Sequence, residues 1–153
     1  MTLSGPASHL QHRLANSLYL EAMLLADEAR GYFDEGGRAE REALAPLARV
    51  SFSCESLKVT TRLMHVIAWL LTQRAVAAGE IAARDALHPS RRLGDAPISD
   101  AATVNLLPPQ ARALIVASME LHRRVARLDA AQSRAEPEPS PARSMLEALA
   151  SAF

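Results

Sequence analysis

The chain of 153 residues has one cysteine, Cys54, and one lysine, Lys58, and its aromatic residues make up only 4% of the whole. A single cysteine excludes an intramolecular disulfide and any cysteine-based zinc site, and it fits a reducing, cytoplasmic home. Six glycines, two of them adjacent at an expected helix end, leave no place for a phosphate-cradling loop. Neither a nucleophile elbow nor an HExxH motif is present, so no catalytic residue and no cofactor site are expected. The longest uninterrupted apolar run, Val66 to Leu71, is six residues, against the roughly twenty that a membrane-spanning helix needs. MTLSGPASHLQHR has no basic region followed by an apolar core and a small-residue cleavage site, so no secretory signal is expected. Seventeen basic and seventeen acidic residues cancel, which leaves no overall field towards nucleic acid or an anionic membrane.

What the chain does have is apolar content of 49%, dominated by alanine and leucine, with charged residues at 22%. That is the composition of helix formers, and the length suits one domain that buries roughly two thirds of its unfolded surface. After a flexible lead over residues 1–15, Leu18, Ala22, Leu25, Ala29 and Phe33 recur at steps of three and four. This spacing predicts a helix over 16–34, ended where Gly36 and Gly37 can take left-handed angles. Leu20, Met23 and Leu24 lie away from that stripe and are candidate dimer-interface residues.

A second helix is expected over 38–79, kinked or interrupted near Pro46. At 100° per residue, Val50, Leu57, Leu63, Met64, Ile67, Leu70 and Leu71, with Phe52, Val59 and Val66 at one margin, cover more than half of its circumference. Such an arc needs more than one partner. The remaining stripe reads Ser51, Glu55, Lys58, Arg62, His65, Trp69, Gln73, and it is expected to face solvent. Trp69 either anchors an interface from that edge or packs under a long loop over 88–107.

Pro108 and Pro109 open a third helix over 109–131, with Ala111, Leu114, Ile115, Ser118, Leu121, Val125 and Leu128 as its stripe. Arg123, Arg124 and Arg127 fall on its exposed side near Glu120, which reads as a solvated face and not as a DNA-reading helix. His9 and His12 could share a helical face but lie in the flexible lead, so no metal site is expected. QSRAEPEPSPAR, from Gln132, lacks the apolar side chains to offset its ordering entropy. The region 132–153 is therefore expected to be a disordered tail, whose end places Met145, Leu146, Leu149 and Phe153 at helical spacing. The fold expected is all-α: an antiparallel three-helix bundle with one long central helix, paired as a homodimer and carrying that tail.

Three blocks carry a resemblance: YLEAMLLADEARGYFDEGGRAEREAL, FSCESLKVTTRLMHVIAWLLTQRAVAAGEI and LPPQARALIVASMELHRRVARLD, in order and separated by the expected long loop. Over Leu18 to Asp129 the chain resembles the alphaproteobacterial family named after RcdA, the regulator of CtrA degradation, most specifically in ESLKVTTRLMHVIAWLLTQRAV. The resemblance implies a homodimeric, non-enzymatic adaptor that helps the ClpXP protease, primed by CpdR, to take up cell-cycle regulators such as CtrA, with PopA as a further partner. An adaptor raises local substrate concentration and needs surfaces and a tether, no catalytic group. Candidate contact residues are Arg62, His65 and Trp69 as an exposed stripe, Arg123 and Arg127, and Met145, Leu146, Leu149 and Phe153 at the end of the tail. A dimeric scaffold or polar localisation factor without a proteolytic role, and a DNA-binding regulator using the third helix, are the alternatives.

Overall fold

A computed structural model describes residues 6–135 and 141–152. Among them the structure is all-helical, with α1 (Pro6–Gly31), α2 (Arg38–Glu42), α3 (Pro46–Ala77), α4 (Ala101–Val104), α5 (Pro109–Ala135) and α6 (Pro141–Ala152). The long helices α1 and α5 both pack against α3 and against each other. α1 runs antiparallel to α3, but α5 runs parallel to it. This differs from the antiparallel bundle expected, because the segment between α3 and α5 returns along α3 before α5 begins.

The start of α1 corrects the expected lead. Pro6 has the backbone angle a first helical turn needs, and no glycine or proline interrupts the chain from there to Gly31, so the helix begins ten residues early by the expectation of Asn16. Residues 1–5 lie outside the described residues. Its end departs too: after Gly31 the chain makes a π-helical turn, Tyr32–Gly36. One extra residue in the turn lets the adjacent Tyr32 and Phe33 both point inwards, where their rings lie 5.2 Å apart and Phe33 meets Phe52 of α3 at 5.2 Å. Gly36 and Gly37 are not left-handed; among the described residues only Gly79, just past α3, has a positive φ, 77°. Gly37 is needed for space, since a Cβ there would fall 2.8 Å from the Tyr32 ring. Pro46 interrupts instead of kinking: Ala45 is extended at ψ 152°, as a residue before proline prefers, and α2 is a separate turn.

The core is built from Leu18, Ala22 and Ala29 of α1, Phe52, Val59, Leu63, Val66 and Leu70 of α3, and Ala111, Leu114, Ile115, Leu121 and Val125 of α5. Each large side chain buried there contributes about 1.5–3 kcal/mol. Ala22 and Ala111, both fully buried, let the helices approach closely.

The orientation of α3 is the main correction. Glu55, Arg62 and Trp69, read from the sequence as part of a solvent stripe, are buried, while Val50, Leu57, Met64 and Leu71, read as core, are exposed. The reason is the segment between α3 and α5. It folds back along α3 through short 3-10 turns at Asp85–Leu87 and Pro89–Arg91, and through α4, capped by Asp100 accepting from the Thr103 amide. It brings hydrogen-bonding groups to most of a polar stripe away from water, leaving only Arg62 Nε and Gln73 Nε2 buried without a partner among the described residues.

α5 continues to Ala135, beyond the expected 131, because no proline arrives before Pro137. Of the expected disordered tail, residues 136–140 lie outside the described residues, and 141–152 form α6.

Candidate functional site

The buried stripe of α3 forms a polar seam with the segment that crosses it. Glu55 and Arg62 are seven residues apart and so lie on one side of the helix. The Ser99 hydroxyl donates to Glu55 Oε2 at 2.5 Å and accepts from the Arg62 guanidinium at 2.5 Å. Arg62 donates further to the Pro97 carbonyl at 2.9 Å and to Ser118 Oγ of α5 at 3.3 Å. Lys58 closes the group, donating to Glu55 Oε1 at 3.3 Å and to the Ile98 carbonyl at 2.7 Å. Burial pulls the Arg62 guanidinium below its usual value, and the charge of Glu55 opposes that pull. Charges this deep persist because each has partners; neither would be tolerated alone.

Two turns along, His65 Nδ1 is 3.0 Å from the Asp95 carbonyl and His122 Nε2 of α5 is 2.8 Å from the Gly94 carbonyl. A carbonyl oxygen only accepts, so both ring nitrogens carry their protons. Gly94 is required there, because a Cβ would stand 2.6 Å from the His65 ring. Beyond it the Trp69 indole donates to Asp129 Oδ1 at 3.0 Å, and Arg92 donates to both oxygens of the same carboxylate at 2.8 and 2.9 Å. That bond is what raises the Arg92 guanidinium above its ordinary value. At the far end Gln132 donates to Gln73 at 2.6 Å.

Arg62, His65 and Trp69 are therefore brought together, as the sequence places them, but as the anchor of a strap over residues 92–100 and not as an exposed stripe. Of the two readings of Trp69, packing beneath the long loop is the one its position fits. Glu55, Ser99, Arg92 and Asp129 complete the seam, and no sequence pattern links them because they come from three separate stretches of chain.

The surface left free is apolar. Leu47, Val50, Cys54, Leu57, Thr61, Met64, Ala68, Leu71 and Ala75 follow one another at alternating steps of three and four along the outward side of α3. This is the heptad spacing of a helix that expects another helix against it. Leu57 is 69% exposed and Met64 63%. On α1, Leu20, Met23 and Leu24 are exposed as expected. Arg123 and Arg127 are exposed on α5, whereas Arg124 is held by Glu21 of α1 through two bonds of 2.7 and 2.9 Å, which raise its guanidinium. Met145, Leu146 and Leu149 are exposed on α6; Phe153 lies outside the described residues. Among the described residues no group of histidine, cysteine and carboxylate side chains could hold a metal ion, and no helix is long and apolar enough to cross a membrane.

The crystal structure of RcdA from Caulobacter crescentus CB15 is similar to this chain with a TM-score of 0.64 and 32% sequence identity, covering 78% of this chain and 90% of that one. No curated protein matches the chain. The family model described as a protein of unknown function, DUF1465, matches residues 7–153. The chain belongs to this DUF1465 family, an RcdA-like family of helical proteins.

Proposed function

We propose that the protein is a non-enzymatic adaptor for regulated proteolysis, which helps CpdR-primed ClpXP to take up cell-cycle regulators such as CtrA and offers a dock to PopA. The observation that carries this reading is the heptad-spaced apolar stripe of α3, roughly 42 Å long between Leu47 and Ala75 at about 1.5 Å per residue, lying open on the side away from the core. The likeness to RcdA supports it. In this reading α1, α3 and α5 act as a three-helix bundle, with α1 running against α3 and α5 running alongside it in the same direction. Two copies pair through Leu20, Met23 and Leu24 of α1 and the stripe of α3, which shields surface too apolar for a lone chain. Arg123 and Arg127 on α5, and Met145, Leu146 and Leu149 on α6, are then the partner contacts, and the protein works in the cytoplasm, concentrated where its protease gathers at a cell pole.

The test is degradation of a candidate client by reconstituted ClpXP and CpdR with no addition, with the full chain, and with a chain ending at Ala135. Acceleration by the full chain alone makes α6 the tethering element. Equal acceleration by both moves the contact to the helical body. Absence of acceleration by either, with every component active, overturns the adaptor reading and leaves a dimeric scaffold.

A further inference from the structure

The end of the molecule where α3 and α5 finish holds a cleft of about 400 Å³, apolar along most of its lining and rimmed by Gln11, His12, Arg84 and Gln132. Its walls include Ala15 of α1, Trp69 and Ala77 of α3, Leu87 of the intervening segment, and Leu128 and Ala131 of α5. Gln73 also lines it, and its Nε2 is buried without a hydrogen-bond partner among the described residues. No described residue of α6 contributes to the walls.

Two observations identify an occupant. The first is α6 itself, a twelve-residue helix whose Met145, Leu146 and Leu149 share one face and are all more than half exposed. The second is the connection. Ala131 and Gln132 line the cleft within about a turn of the end of α5 at Ala135, and α6 begins at Pro141, so five residues, 136–140, join the two helices. A stretch of that length reaches up to about 17 Å, while neighbouring helices lie only about 8–10 Å apart. Connections of this size commonly join antiparallel helices. A helix so tethered faces the cleft at an effective concentration that an unlinked helix cannot match at ordinary protein concentrations.

We propose that α6 docks in cis across this cleft, with Met145, Leu146 and Leu149 against its apolar walls and an acceptor on α6 opposite Gln73 Nε2. Docked and released α6 are two states of one element, and a partner that binds the apolar face of α6 draws the equilibrium towards release. Only that consequence rests on the adaptor reading; the docking does not.

The experiment uses the full chain with Cys54→Ser, Ala77→Cys and Ala148→Cys, treated with a short bismaleimide and no partner present. Bridging within one chain is expected, reduced about tenfold when Leu146→Asp and Leu149→Asp are added. Ala131→Arg, which fills the cleft from its other wall, is expected to reduce it similarly, and the circular dichroism of each variant shows that the helices remain. Bridging only between chains would overturn docking in cis in favour of exchange between copies. Absence of bridging, with both thiols reactive towards a monofunctional maleimide, would overturn docking altogether. Because no protease or client is present, either result leaves the adaptor reading to its own assay.

Discussion

Removal of the Arg62 side chain would leave Glu55, only 2% exposed, without its buried counter-charge. Arg62 reaches Glu55 through the Ser99 hydroxyl, and Lys58, in contact with Glu55, is itself partly solvated, so Arg62→Ala is expected to cost about 3 kcal/mol, near the low end for a buried charge left without its partner. Urea denaturation measures it. Arg62→Lys should recover little, since one ammonium cannot reach Pro97, Ser99 and Ser118 together. Tyr32 offers a second single-residue test. Burial first, and then the Glu40 carboxylate that accepts a hydrogen bond from its hydroxyl, push the phenol well above its ordinary value. A raised value in the folded state means stability fully present below about pH 10, the ordinary phenol value, and lost as pH rises past it. Tyr32→Phe should flatten that alkaline decline, read as the melting temperature across a pH series, while losing some stability at neutral pH with the hydrogen bond. At this scale hydropathy misleads: Glu55, Arg62 and Trp69 are polar or amphipathic by type, and nothing within α3 announces that Ser99 and Asp129 arrive to satisfy them.

Among the elements, the strap is held by polar bonds and close fits, while the long helices are held by apolar burial. Gly94→Ala drives a methyl into the His65 ring and is expected to cost about 1–3 kcal/mol as an overpacking change. The loss should concentrate in faster hydrogen exchange over 92–100, with α1, α3 and α5 keeping most of their protection; equal loss in all four would contradict this division. The helices themselves were legible in the sequence because their stripes repeat over many turns, and Pro46 and Pro109 mark two of the starts. Less legible was which side of α3 faces in. Its apolar arc spans both the core face and the outer face, so periodicity alone leaves the rotation of the helix undetermined. The alternating steps from Leu47 to Ala75 distinguish the outer face, a heptad pattern concealed within a broader apolar arc. The π-helical turn left no comparable sign, since it arises from where Tyr32 and Phe33 find space.

For the whole molecule, the exposed stripe of α3 predicts self-association. Leu57→Asp with Met64→Asp is expected to shift the chain to a monomer at concentrations where the unaltered chain pairs, as light scattering would read, without loss of helical circular dichroism because both positions face outwards. If the unaltered chain is itself monomeric, the stripe serves another partner and the dimer reading fails. The family and the helical class were accessible from the sequence blocks; the candidate surfaces needed the fold, because exposure belongs to the assembled molecule and not to any segment. One feature of the strap carries over to the chemistry of the protein in solution. Lys58 is the only lysine, and its amine is engaged by Glu55 and the Ile98 carbonyl. Side-chain acylation by an amine reagent therefore has a single target, and one acyl group there removes the charge that Glu55 faces and a tether of the strap at Ile98.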